Sequence, residues 1–285
     1  MEKQALIEML NKDLKEEHAA IIRYLVHSYL EGEDSPLGAG LLSRCREEMW
    51  HLHWLGLIIG ELGGEPDMTP APYPFDPANR ASIFKSYVEY EKNLIPHYNQ
   101  EAEKVDHPHI KRVLQREAWE SAMHADKFQR TLDKLSPEQA EGLPEEDNEL
   151  PDDFLESLQN IIQNKYTEML QQIRNAWVLQ KDGFMAWQIM DFSMTKMKQL
   201  AHVAEEVAEN GVEPRLETGK IKLSHAIGAA LTGALEDVQQ SLKRHQELRN
   251  SREAQKHSGL LINLDLSIKQ EKYEAAEYQD WLKKH

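Results

Sequence analysis

Glu47, Glu48, His51 and His53 crowd into the stretch REEMWHLHW (46–54), between the apolar flanks LLS (41–43) and LGLII (55–59). In a helix Glu48 and His51 are three apart, so they share a face and can hold one cation together. His53 falls on a different face and is read as boundary packing, and His18 and His27 are likewise not read as ligands. Carboxylate with imidazole is a ligand set for iron, manganese or zinc.

Other inward acids follow from helical periodicity. One stripe runs Leu10, Leu14, Glu17, Ile21, Tyr24, which puts Glu17 in a core position. A second runs Leu41, Cys45, Glu48, His51 or Leu52, Leu55, Ile59. In a third helix Glu91 precedes Tyr98 by seven residues, as Glu17 precedes Tyr24. A fourth stripe runs Ile110, Leu114, Glu117, Ser121, His124, Phe128, with Glu120 beside it. An ionised carboxylate among apolar side chains is costly unless paired or bound to metal. Two metal ions sharing bridging carboxylates would offset four such charges. Trp50, Trp54 and Trp119 are read as packing aromatics.

The elements that must position these residues are helices throughout. Apolar residues three and four apart mark a helix over 3–31. GEDSPLG breaks it, with Ser35 and Pro36 suited to open a second, which ends at the paired glycines of ELGGEP. The proline-rich stretch GGEPDMTPAPYPFDPANR cannot be helical and reads as a long crossover. Helices over about 81–105 and 108–135 follow, then an acidic linker over 136–152. The fold expected is all-α: two tandem four-helix bundles, 1–135 and 153–285, each crossing over between its second and third helices.

The second half repeats the first. At an offset of 148 residues ELGGEP (61–66) falls on ENGVEP (209–214), and Leu14, Ile21 and Leu25 on Ile162, Met169 and Ile173. The acids do not repeat: Glu17 becomes Lys165, Glu48 becomes Lys196 and His51 becomes Gln199. The second bundle is therefore expected to lack the metal site, its lysines neutralising inward acids such as Glu236 or Glu271.

A net charge of −16, from 33 basic and 49 acidic residues, argues against nucleic acid or an anionic membrane as the main partner. One cysteine, Cys45, leaves no intrachain disulfide and suits a reducing cytoplasm. No export signal is read at the N-terminus, and no stretch reaches the roughly 20 apolar residues of a membrane span.

The stretches EEHAAIIRY, REEMWH, EYEKNLIPHY and EAWESAMH resemble the ferritin-like superfamily, nearest in flavour to bacterioferritin and rubrerythrin. The resemblance covers 1–135. It implies a di-iron or di-manganese carboxylate site, with one glutamate from each of two helices and Glu-x-x-His from each of the other two. Glu17 and Glu91 would be the single carboxylates, Glu48 with His51 one motif, and His124 the histidine of the other. The slot three residues before His124 holds Ser121 rather than glutamate. Glu120 could fill the gap if the helix carried a π-bulge; Glu117 is the alternative. Tyr24 and Tyr98 are either core residues or hydrogen-bond partners that orient carboxylates.

The activity implied is reaction of ferrous iron with dioxygen or peroxide, with zinc or manganese as other possible ions. Metal binding without turnover, and a helical interaction protein whose buried acids are paired, are the competing readings. There is no Cys-x-x-Cys pair, so any electron donor is a separate partner. Internal pairing of the two bundles about a pseudo-two-fold axis is expected to give a monomer or small oligomer and no storage cage.

Overall fold

The computed structural model describes the chain apart from residues 33, 144–147, 149 and 285. Among the described residues it is all-helical, without strands. No helix is long and apolar enough to cross a membrane. The chain divides into two units, Met1–Glu145 and Glu146–His285.

The first unit holds α1 (Lys3–Glu31), α2 (Pro36–Glu61), α3 (Arg80–Lys104) and α4 (Pro108–Lys134). Helices α1 and α2 pair as one antiparallel hairpin, and α3 and α4 as the other. Ser35 caps α2 by accepting from the Gly38 amide, with Pro36 behind it at the first helical position. The four inward stripes bury as periodicity requires: Leu10, Leu14, Tyr24, Cys45, Leu55, Tyr98 and Leu114 are all sealed from solvent.

The crossover leaves α2 through Gly63, whose φ of 71° is a left-handed conformation that favours glycine. Asn11 then clamps it: Nδ2 donates to the Glu65 carbonyl and Oδ1 accepts from the Asp67 amide. The residues read as the start of the linker belong to this unit. Residues 137–141 form a short helix, α5 (Pro137–Glu141). Arg80 ties it to α3, donating from its backbone to the Gly142 carbonyl and from its guanidinium to that of Gln139. The centre of the expected linker lies outside the described residues.

The second unit holds α6 (Asp152–Val178), α7 (Gly183–Glu209), α8 (Ile227–Arg249) and α9 (Ser258–Leu282), paired as α6 with α7 and α8 with α9. Its crossover starts at Gly211, φ 70°, and carries the same clamp: Gln159 donates to the Glu213 carbonyl and accepts from the Arg215 amide. All three positions lie 148 residues beyond Asn11, Glu65 and Asp67. The register of the last helix is set by burial. The α4 stripe Ile110, Leu114, Glu117, Ser121, His124, Phe128 corresponds to Leu260, Leu264, Ser267, Glu271, Glu274, Tyr278 in α9, a constant offset of 150 (Ile110 to Leu260).

Candidate metal centre

Glu17 from α1, Glu48 and His51 from α2, Glu91 from α3 and His124 from α4 meet in the middle of the first unit, each at most 1 % exposed. They form two triads, Glu17–Glu48–His51 and Glu48–Glu91–His124, and within each triad one ligand atom per residue lies within 4.8 Å of the others. Glu48 belongs to both. Its Oε2 is 2.8 Å from His51 Nδ1 and its Oε1 2.7 Å from His124 Nδ1. Glu17 Oε2 is 3.2 Å from His51 Nδ1, and Glu91 Oε1 3.5 Å from His124 Nδ1. The two imidazoles stack with centroids 6.1 Å apart.

Both imidazoles turn Nδ1 to the centre and Nε2 outward, and each outer nitrogen meets a carboxylate from the opposite helix. His51 Nε2 is 2.7 Å from Glu120 Oε2, and His124 Nε2 is 2.5 Å from Glu47 Oε2. Such partners fix the ring orientation and raise the basicity of the inner nitrogen. The single carboxylates are oriented too. Tyr24 donates to Glu91 Oε1 at 2.7 Å, and the Tyr98 hydroxyl donates to Glu17 Oε1.

The electrostatics describe a cage short of positive charge. Burial, reinforced by Glu48 against the pull of His51, pushes Glu17 up to about 7. Burial and Glu48 likewise raise Glu91. Burial opposes ionisation of Glu48 as well, but the two imidazoles hold it well below the usual carboxylate range. The rings answer in kind. Burial disfavours their cations, yet Glu17 and Glu48 keep His51 well above its ordinary value, and Glu48 and Glu47 bring His124 to about 12. Two imidazolium protons thus supply the positive charge among these carboxylates. Glu117 is fully buried and neither carboxylate oxygen has a hydrogen-bond partner; burial raises it well above the usual value, against the pull of His51.

Compared with known protein families and with characterised proteins, the chain matches none.

The structure therefore brings together Glu17, Glu48, His51, Glu91 and His124. It places Glu120 against the outer nitrogen of His51 rather than among the inward ligand atoms. Helix α4 is regular α-helix through this region, without a bulge, so Glu120 lies behind His51 and also accepts from Arg116 Nε at 2.9 Å. Ser121 fills the inward slot and carries no carboxylate. Glu47 is an addition, since sequence reasoning gave it no role. Trp50 and Trp119, read as packing residues, are 59 % and 61 % exposed. Trp54 is half-buried beneath the Arg116 guanidinium.

At the matching depth the second unit carries an ion-pair network. Lys165 Nζ lies 2.5 Å from Glu271 Oε1 and 3.1 Å from Glu168 Oε2. Lys196 Nζ lies 2.7 Å from Glu274 Oε2. His245 Nδ1 is 2.9 Å from Glu271. Burial alone would raise Glu271, but Lys165 pulls it down to about 2. Of the acids expected to meet the lysines, Glu271 does. Glu236 is exposed and only approaches Lys222, at 3.9 Å. Among the described residues, no cluster of metal-binding type occurs in this unit.

Proposed function

We propose that the first unit is a ferritin-like bundle holding two transition-metal ions, iron or manganese, and that the protein reacts with dioxygen or peroxide there. The observation that carries this reading is Glu48: one buried carboxylate shared by two carboxylate–imidazole triads on four helices. Glu17 with His51 would hold one ion and Glu91 with His124 the other, with Glu48 between them. Bound there, the ions would supply one-electron changes of oxidation state. The chain's own residues hold and orient. Tyr98 and Tyr24 fix the terminal carboxylates, while Glu120 and Glu47 hold the inner imidazole nitrogens toward the ions. The apolar stripes exclude bulk water. Metal binding would displace the two Nδ1 protons, so ion uptake releases acid.

Ser121 favours a second reading, binding without turnover, because the inward slot before His124 offers no second bridging carboxylate. Anaerobic ferrous titration followed by air separates the two. Redox function is expected to give two bound equivalents that Glu48→Gln removes, ferric absorption in the near ultraviolet and uptake of dioxygen. Binding of ferrous ion without uptake would leave only the second reading, and absence of binding would remove both.

A further inference from the structure

One turn of α1 before Glu17, a separate cluster faces α3. Asp13 Oδ1 lies 2.8 Å from His97 Nε2, and Glu101 Oε2 lies 3.5 Å from the same nitrogen. The three residues bring one ligand atom each to within 4.8 Å of the others, and none of them belongs to the dinuclear centre. Asp13 is fully buried and Glu101 is 6 % exposed. With both carboxyls ionised, Asp13 Oδ2 and Glu101 Oε2 are buried with no hydrogen-bond partner.

Asp13 and Glu101 face one imidazole and hydrogen-bond each other, a contact two buried carboxylates keep only while one of them holds a proton or a cation takes the proton's place. From the sequence His97 and Glu101 are an ordinary i, i+4 pair on α3; Asp13, 84 residues away, turns them into a three-sided cluster. The His97 side chain is 23 % exposed, which places the cluster at the margin of the buried interior. We propose that Asp13, His97 and Glu101 form a third, mononuclear site for a divalent first-row transition ion, with water completing the coordination sphere. One imidazole and two carboxylates match manganese, ferrous iron, cobalt or zinc. The site adjoins the dinuclear centre, because Tyr98, next to His97, donates to Glu17. Glu117 stands in the field of both Asp13 and Glu17.

Cobalt(II) is the probe, read by its visible absorption and by bound equivalents after desalting. Wild-type protein is expected to bind three equivalents. Glu48→Gln, which removes the shared carboxylate of the dinuclear centre, should keep one. Adding either Asp13→Asn or His97→Gln to Glu48→Gln should remove that last equivalent, with the melting curve confirming a folded protein. His97 lies at the bundle's edge, so its variant decides the matter if the buried Asp13→Asn does not fold. A Glu48→Gln protein that binds no cobalt, from a wild type that binds two, overturns the third site and leaves the dinuclear reading intact. An equivalent that persists when His97 is replaced also overturns it. One equivalent in both wild type and Glu48→Gln, lost with His97→Gln, supports the third site and removes the dinuclear one.

Discussion

Where α1 holds Glu17, α6 holds Lys165; where α2 holds Glu48 and His51, α7 holds Lys196 and Gln199. The exchange continues in the other hairpin: Ser121 and His124 correspond to Glu271 and Glu274, both buried. Around these positions the scaffold is unchanged, down to the side-chain amide that clamps each crossover. The two interiors solve one problem in two ways. Carboxylates at the centre of a helical bundle need cations. The second unit builds its cations into the chain as ammonium groups, while the first sets two imidazoles among its carboxylates, the arrangement from which we propose a metal site. The helix pattern and the clamp thus do not depend on what fills the middle.

The comparison breaks most visibly at Glu48. Because both triads use it, Glu48→Gln should abolish binding at the dinuclear centre, whereas Glu17→Gln or Glu91→Gln should each leave one ion there. Metal analysis of the three variants checks this, and equal losses would mean that Glu48 is not shared. Lys196→Ala should leave metal content untouched.

The next largest effect is on stability. Lys165→Ala strands Glu271 and Glu168 and is expected to destabilise the second unit by about 3–5 kcal/mol, the cost of halving a buried ion pair. Lys165→Met with Glu271→Leu should recover most of that loss, since apolar replacement of a buried pair is often neutral. Denaturant melts of the single and double variants give the two numbers. A double variant no better than the single would show that the network, rather than its net charge, holds the interior.

Smaller changes belong to the outer carboxylates. Glu47→Gln and Glu120→Gln should weaken metal binding about 10- to 100-fold without removing it, as for other partners of ligating histidines. Chelator competition measures the shift. Loss as complete as in Glu48→Gln would make Glu120 a ligand after all.

The smallest and most diagnostic effect is with pH. Asp13 and Glu17 are raised to about 7, Glu101 to about 8 and His124 to about 12, in each case against or with burial as the leading influence. Above about 6.5, where the lowered His18, His27 and His53 no longer oppose the effect, the folded, metal-free first unit keeps protons that the unfolded chain has released, so its stability falls as pH rises through 8. In the second unit Glu271, held down to about 2, and Lys196, held above its ordinary value, keep their full contribution across that window. His245, lowered by burial, and Glu274, raised by it, act in opposite directions. Hydrogen exchange on chelated protein at pH 6.5 and 8.5, corrected for intrinsic rate, should show protection falling in α1–α4 more than in α6–α9, with manganese restoring it. Equal loss in both units would mean that the first interior has counter-charges of its own.

Much of this could be read in the sequence because a helix fixes which residues share a face. The inward stripes follow from a period of 3.6, the Ser35 cap from the serine–proline start signal, and the exchange of Glu17 and Glu48 for Lys165 and Lys196 from the 148-residue repeat. Glu120 could not be placed that way. One residue of shift turns a side chain by about 100°, and whether it then meets metal, solvent or the back of a histidine depends on the neighbouring helix. Glu47 and Asp13 were silent for the same reason, since their partners His124 and His97 lie 77 and 84 residues away. In α9 the repeat survives in burial rather than identity, with serine and glutamate exchanged between slots, so its register emerged only from packing.

The hairpin pairing also carries a consequence for kinetics. Each hairpin is local and its helices can zip together quickly, whereas bringing the two hairpins into register closes the long crossover and comes late. In the second unit Lys165 and Lys196 ride on one hairpin, with Glu271 and Glu274 on the other, so opposite charges draw the halves together before they touch. In the first unit Glu17 and Glu48 approach Glu91 and Glu117, and only two imidazoles soften the encounter. An ion caught by Glu17, Glu48 and His51 on the early hairpin would reverse that repulsion. The second unit carries the charges it needs to assemble, while the closing of the first would quicken with added metal if the proposed site binds it.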